Sequence, residues 1–363
     1  MDTFLTNTVW QIRNSIFSDP NEIPKLIHTG GHTYQLYFPT IGCRFACTMC
    51  NYGFGHPLDP QMALSVLDDI LKSFPKDVDI LVLEASGSFL DEREISHFLR
   101  NEILKRVASI SSLKLIDIET HYTTISETTL KEICSIFQNT SIKVALEFGV
   151  ESINEDVLKI YNKNMSLPQM LEVIWQAHKY GIASELNFLL GSPLLSINEQ
   201  IEDTLNSIAW TIKNCPYDTS CVLFPMNIKK NTLVSFLYEN HKYELISHWE
   251  FIEMLSRIPL EYVDRVSIAW WGNRFNIYEG KSSIIFPYSC DKCKRTLQEF
   301  YNYYYTNKSQ RTNLLQEIMS FDCTCHQKFL NQLHNEPKIE ISILDRFNLL
   351  KNWLQNQDIS KNS

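Results

Sequence analysis

The chain has 363 residues and a formal charge of −9, from 33 basic and 42 acidic side chains. Its 44% hydrophobic and 12% aromatic content supports a substantial core, and the length suits a domain of about 250 residues plus an appendage. The acidic balance argues against an unaided grip on nucleic acid, because a basic face normally supplies the non-specific affinity; Lys229-Lys230 and Lys294-Arg295 are local pairs, not a stripe. The sequence contains no apolar run of about 18 residues, so no membrane span is expected. The opening run from Met1 to Ser15 lacks the basic, apolar and small-residue segments of a secretory signal. Ten cysteines in such a chain predict metal ligation and free thiols in a reducing cytoplasm.

In chain order, an N-terminal extension (1–32) precedes an alternating β-rich stretch from Thr33 to Pro39. A helical pattern from Met62 to Ser73 follows, then the apolar strand Val78 to Leu83, which ends in Ala85-Ser86-Gly87-Ser88. A charged helical stretch runs to Val107. The cycle repeats as strand 114–118, helix 126–137, strand 142–148 and helical residues 154–161 and 167–179. Strand 184–190 leads into Gly191-Ser192-Pro193 and a helix over 198–213; strand 219–224 leads into Pro225-Met226-Asn227. Strands alternating with helices through short connections predict a parallel sheet covered by helices. Right-handed crossovers close or nearly close it into an α/β barrel over 33–262, followed by a small cysteine-containing extension over 263–363. Sites in such barrels collect at the C-terminal strand ends.

Cys43, Cys47 and Cys50 form a C-x-x-x-C-x-x-C triplet directly after the first barrel strand. Soft thiolates select zinc, copper(I) or iron–sulfur clusters. A structural zinc site wants four ligands, whereas three thiolates suit a four-iron, four-sulfur cluster with one iron left open. On this triplet the chain resembles the radical S-adenosylmethionine (SAM) superfamily. The resemblance implies a partial (β/α)6 barrel, a 4Fe-4S cluster whose open iron chelates SAM, and an electron donor such as flavodoxin or ferredoxin. It further implies reductive cleavage of SAM to a 5′-deoxyadenosyl radical that abstracts hydrogen from substrate. Met49 stands where the family often has an aromatic residue, and Tyr52 is expected to pack on the adenine instead.

The same resemblance assigns the SAM-binding residues by position. Ser86, Gly87 and Ser88 follow the second strand, where the family holds the methionyl amino group. Glu119 and His121 end the third strand; Glu147, Glu151 and Ser152 lie at the end of the fourth, in positions that meet ribose and methionyl groups. Asn187 on the fifth strand reads as a barrel-interior ligand or a satisfied core amide. Carboxylates at such strand ends are costly unless they bind something.

A second constellation is Cys290 with Cys293 and Cys323 with Cys325. Two close pairs can meet around one tetrahedral zinc, with His326 as an alternative ligand, or hold an auxiliary iron–sulfur cluster. Cys134, Cys215 and Cys221 read as small buried hydrophobes. The run from Ile268 to Arg274 places Trp270, Trp271 and Arg274 together, and Arg274 and His121 are the expected substrate anchors.

Motif order narrows the resemblance. The triplet, the G-S-F-L-D run 87–91, the E-F-G-V-E-S run 147–152, Gly191-Ser-Pro193, the N-T-L-V run 231–234 and the paired C-terminal cysteines are similar to the radical SAM subunit of archaeosine synthase and its relatives. That family cleaves a lysine adduct on a deazaguanine base in tRNA. Because the chain is acidic, the expected substrate is a small amino-acid-derived or nucleoside-like molecule, undergoing C–N or C–C cleavage or rearrangement. The alternatives are lysine-adduct lyase activity on tRNA with a partner subunit, and a non-catalytic iron–sulfur or zinc protein.

Overall fold

The computed structural model describes residues 2–13, 21–163, 165–269 and 284–357. An eight-stranded sheet runs in the order β1 (Lys25–Gly30), β2 (Thr33–Phe38), β3 (Ile80–Ala85), β4 (Leu115–Thr120), β5 (Lys143–Glu151), β6 (Ala183–Leu190), β7 (Thr219–Pro225) and β9 (Val266–Ile268). Strands from β2 to β9 pair in parallel, and β1 alone is antiparallel, against β2. The six expected strands are all present within a few residues of their expected bounds. The two additional edge strands lie outside the 33–262 span. β1 is only weakly apolar and its burial does not alternate, and β9 has three residues, so neither carries a readable period. β8 (Ile228–Lys229) pairs apart from this sheet with β10 (Ile284–Ile285).

Alternation along the strands sorts their side chains. Ile116, Ile118, Leu146, Phe148, Leu186 and Phe188 are buried in one cluster with Leu130 and Ile133 of α4 (Glu127–Phe137) and Ile174 of α6 (Leu167–Lys179). The opposite face carries Asp117, Glu119, Glu147, Glu185 and Asn187, with Glu119, Glu147 and Glu185 aligned in register across three strands. A strand with one face apolar and the other acidic requires a polar interior, not the packed apolar core of a closed barrel. Local signals define the helix ends: Asp59 caps α2 (Pro60–Lys72), with Pro60 in its first turn, and Ser196 with Glu199 forms a capping box on α7 (Ile197–Asn214).

Both termini return to the barrel. α1 (Thr3–Arg13) and the helix Ile343–Gln355 share a second buried cluster, in which Leu5 and Val9 join Phe347, Leu350 and Leu354. Arg346 anchors the tail, reaching Glu199 at 2.6 Å and the Leu194 carbonyl. Between β10 and this tail lie the helices Asp291–Thr306, Arg311–Met319 and Thr324–His334. Among the described residues, no helix is long and apolar enough to cross a membrane.

Candidate metal and cofactor site

The triplet loop leaves β2 and folds back on itself. Gly42 sits at φ 93°, and a Cβ there would lie 2.7 Å from the Gly53 carbonyl oxygen, so the turn tolerates no side chain. The loop's inner carbonyls are gathered by one side chain from α1. Arg13, fully buried, donates to the carbonyls of Phe45 (2.7 Å), Cys47 (2.7 Å) and Cys50 (2.9 Å). Other bonds come from far along the chain: Thr48 hydrogen-bonds the Tyr161 and Ile160 carbonyls, Asn162 donates to the Ala46 carbonyl, and the Thr48 carbonyl accepts from Val234 N–H. The cysteines therefore sit in a pre-shaped backbone frame.

The loop packs directly on the C-terminal end of β3. A Cβ on Gly87 would lie 2.7 Å from the Cα and Cβ of Cys43 and would also strike the Glu94 carboxylate. The flanking hydroxyls serve as braces. Ser86 Oγ accepts from Thr40 N–H, and Ser88 Oγ accepts from His121 N–H and meets the hydroxyls of Thr120 and Thr124. Glu94, in the G-S-F-L-D-E-R-E run, accepts from Thr40 Oγ1 at 2.6 Å and Ser88 N–H at 2.9 Å. Burial raises its pKa to about 7.

Beneath the loop the acids converge. Tyr52 Oη donates to Glu84 Oε1 at 3.4 Å, and the Lys229 ammonium lies 4.6 Å above the Tyr52 ring. Asn187 Nδ2 donates to Glu147 Oε1 at 2.6 Å. Burial, then the neighbouring carboxylates, push Asp117 and Glu119 well above the ordinary carboxylate range. Glu185 rises to about 7 for the same reasons. Asp117 Oδ1 and Asn187 Oδ1 are buried without a hydrogen-bond partner among the described residues. Such atoms are costly unless something polar binds them.

Glu151, in the left-handed region at φ 71°, pairs with Lys163 at 2.6 Å, both largely buried. Ser152 is fully buried, with its hydroxyl donated to Asp203 and accepting from Asn154 N–H, so it braces the turn into α5 (Glu155–Ile160). Ser86, Ser88 and Ser152 thus have their hydroxyls committed within the protein. His121 stacks on Phe45 at 4.1 Å, joining the end of β4 to the cysteine loop. Desolvation first, then Lys163 and Arg44, lower its pKa to about 3, leaving the imidazole neutral at physiological pH. Arg274, the other expected anchor, lies outside the described residues.

Sequence reading missed Arg13, Lys163, Glu84 and Glu94. Only Glu94 had a nearby signal, its place in the acidic run after Gly87; Arg13 and Lys163 belong to segments with no motif of their own.

At the C-terminus Cys290, Cys293, Cys323 and Cys325 bring all four sulfurs within 4.8 Å of one another. Cationic Arg13 and Lys163 are the buried charges that a cluster of thiolates and sulfides requires, and both act on Cys47. The orphaned acceptors in the interior fit a ligand bearing ammonium and hydroxyl donors, as SAM does.

Residues 37–208 match the model of the radical SAM superfamily. The matched domain implies a 4Fe-4S cluster and SAM as cofactors. Among individual relatives, the chain is 27% identical over 232 residues to archaeosine synthase subunit beta of Methanosarcina acetivorans, covering 61% of this chain and 66% of that protein. The subunit beta of Thermococcus kodakarensis is also 27% identical, over 62% of this chain and 71% of its own length. An uncharacterized protein of Methanocaldococcus jannaschii matches 88% of this chain and 87% of its own length at 24% identity. Of solved structures, methylornithine synthase aligns with TM-score 0.49 at 14% identity, over 73% of this chain and 69% of that one. The radical SAM methyltransferase TsrM of Kitasatospora setae aligns with TM-score 0.40 at 9% identity, over 56% of this chain and 39% of that one.

Proposed function

We propose that the chain is a radical SAM enzyme that abstracts hydrogen from a small amino-acid-derived or nucleoside-like substrate, leading to C–N or C–C cleavage or rearrangement. The observation that carries this reading is the contact between Gly87 and Cys43, which sets the triplet loop on the mouth of an acid-lined half-barrel. Cys43, Cys47 and Cys50 would hold a 4Fe-4S cluster, with SAM on the remaining iron. Together these groups supply reductive cleavage of the SAM sulfonium bond and, from it, a hydrogen-abstracting radical.

The chain's own residues bind, orient and shield. Glu84, Glu119 and Glu147 offer acceptors to hydroxyl and ammonium donors, and Asn187 fixes the Glu147 carboxylate. Tyr52 and Phe45 flank the mouth with apolar rings. His121, neutral and stacked on Phe45, presents an imidazole edge rather than a charge. Gly87 and Ser88 admit close backbone approach beside Cys43. Glu151, held by Lys163, is a positioning residue beneath Cys47.

Anaerobically reconstituted protein reduced with dithionite should release 5′-deoxyadenosine from SAM, and Cys47→Ala should abolish that release. Formation of S-adenosylhomocysteine with a transferred methyl group, or no SAM turnover at all, would overturn the reading. A second reading, tRNA modification with a partner subunit, is favoured by the two archaeosine synthase beta relatives. Salt-sensitive tRNA binding by the chain alone or with a partner would select it over the small-molecule substrate.

A further inference from the structure

The C-terminal cysteines form a complete ligand set, distinct from the triplet. Their sulfurs are separated by 3.5 Å (Cys290 to Cys293), 3.3 Å (Cys293 to Cys325) and 3.4 Å (Cys323 to Cys325). A tetrahedral zinc with Zn–S bonds of about 2.3 Å places its four sulfurs roughly 3.8 Å apart. A cubane cluster instead distributes its four thiolates over four separate irons, which requires them to spread beyond the 4.8 Å that encloses this set. The geometry is that of a single ion.

The surroundings are those of a closed site. Cys293, Cys323 and Cys325 are buried and Cys290 is half-buried, so four thiols meet largely in the interior. Cys290 and Cys323 occupy the N-cap positions of the helices Asp291–Thr306 and Thr324–His334. Both helix N-termini thereby point positive partial charge at the thiolates. Trp249 of α9 (His248–Ser256) donates its indole N–H to Cys325 Sγ at 3.1 Å. His326 lies outside the four-sulfur group: its ring stacks on Trp249 at 3.9 Å and its Nδ1 meets the Phe321 carbonyl at 2.8 Å. Its Nε2 is buried without a hydrogen-bond partner among the described residues, and the four thiols form the group without it.

We propose that Cys290, Cys293, Cys323 and Cys325 bind one zinc ion as a closed tetrathiolate that fastens the C-terminal helices to α9. All four corners are filled by protein, so the ion has no open position for substrate and its role is architectural. The two cysteine pairs it joins are separated by about thirty residues of sequence, and the bond from Trp249 ties the pair to the barrel side. Cys323 and Cys325 also line a crevice of about 1310 Å³, together with Ser192, Gln200 and Glu250.

The test is metal analysis of the full chain, reconstituted anaerobically with iron and sulfide in the presence of equimolar zinc. We expect one zinc per chain together with about four irons. Cys43→Ala/Cys47→Ala/Cys50→Ala should keep the zinc and lose the iron, and this outcome is independent of whether the triplet performs SAM chemistry. Cys290→Ser/Cys293→Ser should lose the zinc and melt at a lower temperature. Cobalt in place of zinc should give tetrahedral ligand-field bands with thiolate charge transfer in the triplet variant. About four irons retained by the triplet variant would identify an auxiliary cluster instead, and no metal in that variant would leave the four as free thiols; either result overturns the proposal.

Discussion

Arg13 donates to the Cys47 carbonyl at 2.7 Å across 34 residues of sequence, and the same guanidinium closes on Phe45 and Cys50. One cation thus holds the loop that carries all three triplet cysteines. The planar fork of arginine suits this task; a lysine offers a point charge with no fixed arrangement of donors.

Arg13→Ala should therefore strip support from three buried carbonyls at once. Each buried acceptor left unsatisfied costs about 1–3 kcal/mol, so several kcal/mol and a clear drop in melting temperature are expected. Reconstituted iron should fall well below four per chain. Full iron content with an unchanged melting temperature would refute the bracing role, and Arg13→Lys should recover only part of the loss.

Gly87→Ala places a methyl group where Cys43 already stands, 2.7 Å from its Cα. The loop must move, because the obstacle is backbone and not the far end of a flexible side chain. Far-ultraviolet circular dichroism should remain that of the wild type while cluster absorbance and iron content decline. Normal iron loading in this variant would show that the loop yields freely.

Glu147 aligns with Glu119 and Glu185 and is fixed by Asn187. Removing its carboxylate with Glu147→Ala should weaken SAM binding by about 10- to 100-fold, as expected for lost hydrogen bonds to a charged group. Iron content should not change. Calorimetric titration of SAM into cluster-loaded protein gives the measurement, and wild-type affinity would remove Glu147 from the ligand set.

Asp203 supplies a pH dependence whose sign is fixed by its surroundings. Desolvation raises its pKa from 3.8 to about 7, with the Ser152 hydroxyl acting in the opposite direction. The folded state then holds more protons than the unfolded one between these values. Its contribution is fully present below about pH 4 and is lost as pH rises through 7, by at most about 4 kcal/mol. Asp203→Asn retains an acceptor for Ser152 and should gain stability over wild type progressively from pH 4 to 7. Parallel denaturation curves across that range would contradict the assignment. His121 acts in the reverse sense: lowered from 6.5 to about 3, it contributes stability above pH 6.5 that is lost as pH falls toward 3.

Local chemistry made much of this protein legible from its residues. Cysteine spacing declares metal ligation because ligands close in sequence need little chain closure to meet. Strand and helix periods reveal the half-barrel because each strand must bury an apolar face, and the six repeating units appear where alternation and apolar runs indicate them. Glu119, Glu147 and Glu151, on β4 and β5, could be located as strand-end residues, but Glu84 on β3 was missed, and the alignment of Glu119 with Glu147 depends on register between strands.

Three decisions required the folded chain. Arg13 and Lys163 become neighbours of the triplet only when segments 34 and 116 residues away from Cys47 pack beside it, and neither lies in a recognisable pattern. Hydroxyls that read as ligands, at Ser86, Ser88 and Ser152, are instead spent on Thr40, His121, Asp203 and Asn154, because hydrogen-bond partners are set by three-dimensional proximity. The choice between one ion and a cluster at the C-terminal cysteines depends on sulfur separations near 3.4 Å. Spacing along a chain constrains which thiols can meet; the packing of two helix N-termini against Trp249 sets how closely they do.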